Sequence, residues 1–351
     1  MIEVKKEGVL LSKTNLEFEN EGVLNPAIIR IDDNVHMFYR AVSEGNYSSI
    51  GYCRFDGPLS ISERWEKPFM VPEYKYESHG VEDPRIVKID DLYYMSYTAY
   101  DGTNARGAYA TSKDMIHFKK QGLIVPHFTY EKFAFIVESG SKVNPDYYHN
   151  HKFYYQPEDP ATKMMLWDKN VVFFPRRIDG NLVFLHRIRP GIQLVSVKNL
   201  DELTKDFWKD YFLHFQEHIV LDPIHLHESD YIGGGCPPIE TEHGWLLIYH
   251  GVQDTNKGLV YSACAAALLD IDDPRKELAR LPYSLFSPEF KWELKGEVNN
   301  VVFPTGTALF GDTLFIYYGA ADSQIACASL SISALMTELL TCTTTKKNDE
   351  N

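Results

Sequence analysis

The sequence predicts an all-β fold, a five-bladed β-propeller with a short C-terminal helix. A strand–turn–strand pattern returns five times along the 351 residues, and helical periodicity is scarce. The content of aromatic residues, with 22 Tyr, 20 Phe and 5 Trp, agrees with a fold made of many short strands. A β-sandwich with coincidental hairpins is the alternative fold for the same pattern.

Each repeat begins with a proline and runs through two stretches of β-branched and aromatic residues, separated by an acidic or glycine-containing turn. The five repeats start at Pro26, Pro84, Pro175, Pro237 and Pro304. Further strand-like segments follow several of them, so each repeat indicates a unit of about four strands, which is typical of a propeller blade. The amphipathic segment 332–341 is the clearest helix.

We expect residues 1–351 to form a single catalytic domain. The long stretch 121–168 is rich in Tyr, His, Phe and Pro, and we interpret it as an insertion over the active-site face, where loops often carry function. Residues 343–351 indicate a frayed polar tail.

Composition and charge exclude several classes of function. The balance of 35 Lys+Arg against 49 Asp+Glu gives a net charge of −14, and no basic stretch is present, so we expect neither nucleic acid nor membrane as a partner. No apolar run is long enough to span a bilayer, and no secretory signal begins the chain. Five scattered cysteines without a CxxC pair indicate a reduced, cytoplasmic setting. The 13 histidines lack metal-ligand spacing, so we predict no metal.

The innermost strand of each blade lines the channel of a propeller, and polar residues of the five repeats should converge there. Carboxylates, guanidinium groups and aromatic rings together suit a sugar, since they pair with hydroxyls, stack on C–H faces and can protonate a leaving oxygen. The candidates are Asn25, Arg40, Glu82, Asp83, Arg85, Lys169, Asn170, His186, Arg187, Glu228, Asp230, Tyr249, His250 and Asp322.

The segment Gly-Val-Glu-Asp-Pro-Arg (80–85) is the sharpest single motif. We expect Pro84 to hold Asp83 in an extended conformation, with Arg85 near enough to position a carboxylate. Because Asp-Pro is also common in plain turns, an isolated copy would carry little weight. Its position at the start of a repeat favours a functional interpretation.

Two further motifs have a functional and a structural interpretation each. The cluster Gly-Gly-Gly-Cys-Pro-Pro (233–238) allows close approach of a ligand, or else close packing of the backbone. In His-Arg-Ile-Arg (186–189), Arg187 and Arg189 lie on the same face of a strand, where they can meet an anion or form surface ion pairs.

With these motifs assembled, the chain resembles glycoside hydrolase family 130, the five-bladed propellers that act on β-mannosides. The resemblance covers roughly residues 20–340. It rests on the ordered motifs NPAII…FYRAV (25–42), GVEDPRIV (80–87), KNVVFFPRRIDGNLVFLHR (169–187), YIGGGCPPIETEHGWLLIYHGV (231–252) and NVVFPTG…IYYGAAD (300–322).

The resemblance implies inverting cleavage of a terminal β-mannosidic bond. Asp83 matches the general acid of the family, which relays its proton through a sugar hydroxyl, and Asp322 matches the carboxylate that holds the mannose. Arg40, Arg85, Tyr249 and His250 fall in motifs that line the sugar pocket. The resemblance also implies a homo-oligomer.

Family members use either inorganic phosphate or water as the nucleophile. Phosphate needs a cluster of cationic donors, whereas water needs a carboxylate base. The segments 48–52 and 227–232 lack cations that similar phosphorylases carry there, and the second contains two acids. Lys169 and Arg187 nevertheless match the phosphorylase pattern as an anion-binding pair.

We therefore favour an exo-acting, inverting β-mannosidase for β-1,2-mannooligosaccharides, with Glu228 as the base that activates water. Segment 227–230 can equally form a rim loop that caps the sugar. The alternative is a phosphorylase that releases mannose 1-phosphate, with inorganic phosphate as co-substrate; neither interpretation needs another cofactor. A non-catalytic glycan-binding propeller is a third interpretation.

Overall fold

The computed structural model describes residues 2–149, 164–253, 255 and 260–342. The predicted polar tail and residues 150–163 of the predicted insertion lie outside this part of the chain. The fold is mainly β, as the sequence predicts, and its strands pair into antiparallel units of four. In the described residues, no helix is long and apolar enough to cross a membrane.

The first two units share one sheet, joined by a single parallel bridge between Ser48 and Gly80. Unit 1 consists of β2 (Gly22–Ile31), β3 (Asn34–Ser43), β4 (Tyr47–Asp56) and β5 (Ser60–Arg64). Unit 2 consists of β6 (Gly80–Ile89), β7 (Leu92–Tyr100), β8 (Ala105–Ser112) and β9 (Lys119–Leu123).

The next two units form separate sheets. Unit 3 consists of β10 (Lys169–Phe173), β11 (Leu182–Arg187), β12 (Ile192–Val197) and β13 (Ile219–Leu221). Unit 4 consists of β14 (Tyr231–Gly234), β16 (Gly244–Gln253), β17 (Val260–Leu269) and β18 (Glu277–Arg280), and the short strand β15 (Ile239–Thr241) also pairs with β16.

Unit 5 joins the two ends of the chain. Its strands are β19 (Val302–Phe310), β20 (Thr313–Ala320), β21 (Gln324–Ser331) and, as the fourth strand, β1 (Lys5–Leu11) from the N-terminus. β1 pairs antiparallel with β21, with Lys5 opposite Ser329 and Leu11 opposite Ile325. The N-terminal strand thus covers the outer edge that β21 would otherwise expose.

Few helices complete the described part of the chain. They are α1 (Tyr130–Gly140), α2 (Asp146–His149), α3 (Lys205–Leu213), α4 (Lys291–Leu294) and α5 (Ile332–Thr341), with 3₁₀ turns at Glu17–Glu19, Lys75–Glu77, Leu200–Glu202, Phe215–His218 and Leu226–Glu228. α1 packs on α3 through the edge-to-face pair Phe133–Phe212, whose centroids lie 4.9 Å apart.

The apolar core lies between successive units, because neighbouring residues of a strand face opposite sides. In β3, Met37 packs against unit 5 and Phe38 packs against unit 2. Further clusters join units 2 and 3, units 3 and 4, and units 4 and 5. The packing therefore runs through all five units and returns from the fifth to the first.

Candidate active site

The first strands of units 1, 2 and 3 are interrupted at corresponding places. Their pairing register shifts between Leu24 and Ala27, between Glu82 and Arg85, and between Lys169 and Val172. Each interruption holds one residue with positive φ: Asn25 at 50°, Asp83 at 49° and Asn170 at 56°. Asn and Asp tolerate this left-handed conformation better than most residues, which explains their recurrence.

The expectation of an extended Asp83 is therefore wrong. The bulge places the residue in the left-handed region even though Pro84 follows it, and Asn25 before Pro26 does the same. A bulge changes the direction of the side chain of its extra residue. Here the three bulges direct Asn25, Asp83 and Asn170 towards one cavity.

This central cavity has a volume of about 140 Å³ and draws its wall from all five units. Eight of the candidates line it: Asn25, Arg40, Asp83, Lys169, Asn170, Arg187, His250 and Asp322. Arg189, also noted in the sequence, lines it together with Tyr231, Val301 and Phe303, which are not among the candidates. The described residues of 121–168 contribute nothing to this wall.

One part of the wall, which we call the carboxylate side, consists of Asn25, Arg40, Asp83 and Asp322. The Asn25 amide donates a hydrogen bond to Asp83 Oδ1 at 2.7 Å, and Arg40 lies 3.8 Å from the same oxygen. Burial would raise the pKa of Asp83, but Arg40, Lys169 and the Asn25 hydrogen bond outweigh it and lower this pKa. Asp83 is therefore an anion in the unliganded site.

Two other carboxyl groups near Arg40 have raised pKa values. Glu82 lies outside the wall. Its carboxylate pairs with Arg40 at 2.8 Å and accepts a hydrogen bond from Ser48 at 3.4 Å. Burial raises the pKa of Glu82, although the charge of Arg40 lowers it. Asp322, in the turn between β20 and β21, has its pKa raised to about 6, mainly by burial. The three carboxyl groups thus differ in proton affinity within one small region.

Another part of the wall, which we call the cationic side, consists of Lys169, Arg187, Arg189, Tyr231 and His250. The Tyr231 ring lies 3.6 Å from the Arg189 guanidinium carbon and 5.0 Å from that of Arg187, which holds both groups in place. Burial, and next the charge of Arg187, lower the pKa of Lys169 to about 8. This side concentrates the positive charge of three unit 3 residues, next to Tyr231 and His250 from unit 4.

His250 adds an uncharged donor to the cationic side. Its ring is fully buried, and neither ring nitrogen has a hydrogen-bond partner among the described residues. Burial, followed by the charges of Arg187 and Arg85, lowers its pKa well below the usual value, so the imidazole is neutral. A Cβ on Gly233 would lie 2.4 Å from this ring, so the first glycine of the Gly-Gly-Gly cluster makes room for His250.

Six predicted site residues lie outside the cavity wall: Glu82, Arg85, His186, Glu228, Asp230 and Tyr249. His186 precedes Arg187 and Tyr249 precedes His250 on a strand, where consecutive side chains point to opposite faces. One member of each pair therefore reaches the cavity, and the other is buried inside its unit.

Arg85 is a structural residue in the unliganded site. Its guanidinium donates hydrogen bonds to the carbonyl oxygens of Asp83, Pro84 and Gly235, which ties unit 2 to the glycine cluster of unit 4. A Cβ on Gly235 would lie 2.6 Å from the Ile248 carbonyl oxygen. This glycine supports the close-packing interpretation of the cluster.

Glu228 belongs to a buried network that recurs in four units. In each unit a carboxylate just before the first strand accepts a hydrogen bond from a tyrosine of the second strand and pairs with a cation of the fourth strand. The sets are Glu19–Tyr39–Arg64, Glu77–Tyr97–Lys120, Glu228–Tyr249–Arg280 and Glu293–Tyr318–Lys6. Unit 3 replaces them with Asp168, His186 and Tyr211.

The geometry does not support Glu228 as a base for water. Its carboxylate is fully buried and also accepts the backbone amides of Ile224 and His225, so it does not face the cavity. Segment 227–230 is partly a 3₁₀ turn that holds this network. Glu228 therefore acts in folding, with Arg280 as its positive partner.

The described residues contain no group of three or more His, Cys, Asp or Glu side chains that could hold a metal ion. The cationic side instead offers five donor side chains: two Arg and one each of Lys, Tyr and His. Such a set is suited to an oxyanion with several oxygens, since guanidinium groups bind these in pairs.

Comparisons with known proteins agree with the motifs. Residues 7–340 match the family described as β-1,4-mannooligosaccharide phosphorylase, glycoside hydrolase family 130. The chain is 33% identical to a 1,2-β-oligomannan phosphorylase of Thermoanaerobacter sp. (strain X514), over 95% of this chain and 98% of that one. It is 34% identical to a β-1,2-mannobiose phosphorylase of the same organism, over 89% and 91%.

The fold is also that of a solved relative. The β-1,2-mannobiose phosphorylase from Listeria innocua, solved with β-1,2-mannobiose, superposes with a TM-score of 0.71 at 23% identity, over 96% of this chain and 99% of that one. The match of the family over nearly the whole chain confirms the resemblance drawn from the motifs. The chain belongs to glycoside hydrolase family 130.

Proposed function

We propose that the protein is an inverting β-mannoside phosphorylase, which uses inorganic phosphate to release the terminal mannose of β-1,2-mannooligosaccharides as α-mannose 1-phosphate. The observation that carries this proposal is the cationic side of the central cavity, where Lys169, Arg187, Arg189, Tyr231 and His250 meet. The phosphorylase alternative thus replaces the β-mannosidase as the favoured interpretation, and the names of the relatives agree with it.

The nucleophile decides between the two activities. An inverting hydrolase needs a second carboxylate to activate water on the face of the sugar opposite the acid. Asp83 and Asp322 are the carboxylates in the described cavity wall, and both interact with Arg40 on the same side. The other charged residues of the described wall are the cations Lys169, Arg187 and Arg189, which would hold phosphate but leave water without a base.

Asp83 is proposed as the general acid, in agreement with the motif resemblance. Asn25, Arg40 and Asp322 would bind the hydroxyls of the terminal mannose, and Phe303 offers an apolar surface to its C–H face. The bound phosphate would offset the charge of Lys169, which otherwise lowers the pKa of Asp83. Phosphate binding would therefore help Asp83 to hold the proton that the leaving oxygen needs.

We further propose that the five units form the blades of a propeller around this cavity. The packing clusters join every pair of successive units, including the fifth and the first, and all five units supply residues to the cavity wall. A cyclic arrangement accounts for both features. The site would then lie at one mouth of the channel.

The phosphate dependence of two variants tests the proposed function. Arg187→Gln and Arg189→Gln each remove a donor from the cationic side, and we expect the KM for phosphate to rise at least about tenfold, with a smaller change in the KM for β-1,2-mannobiose. Arg54→Gln, on an exposed arginine of β4, is the matched control and should leave both constants unchanged. Equal effects on both constants would contradict the assignment of these arginines to phosphate.

A non-catalytic glycan-binding protein remains the competitor from a different class. It would bind mannosides but would release no product from β-1,2-mannobiose, whether or not phosphate is present. Turnover of β-1,2-mannobiose by the wild-type protein in the same experiment would exclude this function. Binding of mannobiose without turnover would support it.

A further inference from the structure

Unit 3 differs from the other four units in how its buried network meets the central cavity. In units 1, 2, 4 and 5 the carboxylate lies on a short helical turn, at least three residues before the first strand. In unit 3 the carboxylate is Asp168, which directly precedes Lys169, the first residue of β10. Its partner His186 directly precedes Arg187 on β11. Both residues of this buried pair are therefore one peptide bond away from a cation of the cavity wall.

The side chains of this network are fixed by hydrogen bonds on both sides of the histidine ring. His186 Nδ1 lies 2.9 and 2.8 Å from the two carboxylate oxygens of Asp168. His186 Nε2 lies 2.7 Å from the hydroxyl of Tyr211, which also donates to the Leu194 carbonyl oxygen at 3.1 Å. Asp168 and His186 are both fully buried. Since both ring nitrogens have partners, the position and the orientation of the ring are set.

Neighbouring elements hold the network at both ends. The Gly107 amide of β8, in unit 2, donates to the backbone carbonyl of Asp168 at 2.7 Å. At the other end, α3 supplies the rings of Trp208 and Tyr211, whose centroids lie 5.7 and 5.6 Å from that of His186. The network thus connects the start of β10 and the end of β11 to a rigid surrounding.

The two cations next to this network repel each other. Lys169 and Arg187 are direct partners in the pairing of β10 with β11, and like charges in such a position destabilise a strand pair. After burial, the charge of Arg187 is the main cause that lowers the pKa of Lys169 to about 8. The bonded pair Asp168 and His186 joins the same two chain segments, so it opposes their separation. Because His186 and Arg187 point to opposite faces of β11, a fixed His186 ring also restricts where Arg187 can lie.

We propose that Asp168, His186 and Tyr211, which we call the unit 3 network, are positioning residues for phosphate. They keep the two opposing cations of β10 and β11 close enough together to bind one oxyanion. A charged group binds its ligand precisely only when the residues that support it are themselves fixed. This inference rests on the proposed function for the identity of the anion.

Unit 2 offers a matched control, because its network is built in a similar way but does not meet the cavity. The Tyr97 hydroxyl donates to the Glu77 carboxylate at 3.0 Å, and both side chains are buried. Ser78 and Thr98, the residues that follow them in the chain, do not line the cavity. Loss of this contact should therefore lower the stability of the protein and leave the cations of the phosphate site in place.

The test compares Asp168→Asn with Glu77→Gln, and Tyr211→Phe with Tyr97→Phe, by initial rates against phosphate and against β-1,2-mannobiose. We expect the KM for phosphate to rise about tenfold in Asp168→Asn and about threefold in Tyr211→Phe, as the loss of a charge-assisted and of a neutral hydrogen bond predicts. The KM for mannobiose should change by less than about twofold in both. The two unit 2 variants should keep both wild-type KM values, although chemical denaturation shows them to be destabilised.

An unchanged KM for phosphate in Asp168→Asn, or an equal rise in Glu77→Gln, would overturn the positioning role. If Asp168→Asn does not fold, Tyr211→Phe decides, because it removes a single oxygen atom; a KM for phosphate no higher than that of Tyr97→Phe would then overturn the role. Failure of the proposed function would show in the wild type instead, as turnover that does not depend on phosphate, and would remove the anion that the network is proposed to serve.

Discussion

Asp83 shows how a single residue combines backbone geometry and electrostatics. The bulge turns its carboxylate into the cavity, Asn25 fixes one of its oxygens at 2.7 Å, and Arg40 and Lys169 keep it ionised in the unliganded site. Asn25 is thus the positioning residue for the proposed acid.

Asp83→Asn should lower kcat by about 10²–10⁴-fold, because an amide donates no proton to the leaving oxygen. The dissociation constant for β-1,2-mannobiose should change much less, because the amide keeps the shape of the carboxyl group. Steady-state kinetics and calorimetry check the two parts. Retention of wild-type kcat would exclude Asp83 as the acid.

Lys169 gives a prediction for pH dependence. Its pKa is lowered to about 8, so the ammonium group is present below this pH and is lost as the pH rises through it. We expect kcat/KM for phosphate, which reports the free enzyme, to fall as the pH rises through about 8. Lys169→Arg keeps its charge and should remove this decline; a profile identical to that of the wild type would contradict the role of Lys169.

At the scale of the element, the recurring buried network explains why only one residue of each adjacent candidate pair reaches the cavity. The other residue of the pair takes part in the network. The sequence shows Tyr39-Arg40, His186-Arg187 and Tyr249-His250 at corresponding places, and the second residue of each pair reaches the cavity. Because consecutive side chains of a strand point to opposite faces, the residue that reaches the cavity can be predicted once the register is known. The bulges are harder to predict, because they depend on pairing between strands and not on local sequence.

Glu228→Gln and Glu77→Gln test the structural role of the network. Each substitution weakens charge-assisted hydrogen bonds in equivalent places of units 4 and 2, and we expect each to lower the free energy of unfolding by about 2 kcal/mol. Because neither carboxylate faces the central cavity, kcat should change little and similarly in both. Chemical denaturation and kinetics provide the readouts, and loss of kcat in Glu228→Gln alone would restore Glu228 as a catalytic base.

At the scale of the whole molecule, the sequence predicted the family, the mainly β fold and most of the cavity wall. The five proline-led repeats lie on or beside the first two strands of units 1 to 5, so local patterns located the units. What the sequence could not reveal was the closing of unit 5 by β1, a pairing between residues more than 300 positions apart. The interpretation of Glu228 as a base was wrong for a similar reason, since its partner Arg280 lies on a distant strand.

Lys6 links the closing strand to the rest of the molecule through the buried Glu293. Lys6→Gln removes the cation and leaves this carboxylate buried, so we expect a loss of about 3 kcal/mol of stability. Lys120→Gln makes the equivalent change in unit 2. The loss of stability should be similar in both, but amide exchange should accelerate in β1 only with Lys6→Gln; unchanged exchange in β1 would mean that this ion pair does not hold the closing strand.

The identity of the nucleophile is the central claim, and one measurement tests it most directly. Purified protein is incubated with β-1,2-mannobiose with and without inorganic phosphate, and the products are followed by nuclear magnetic resonance. We predict no turnover without phosphate and, with it, equal amounts of mannose and α-mannose 1-phosphate. Release of two molecules of free mannose per mannobiose, at a rate independent of phosphate, would contradict the account and identify a β-mannosidase.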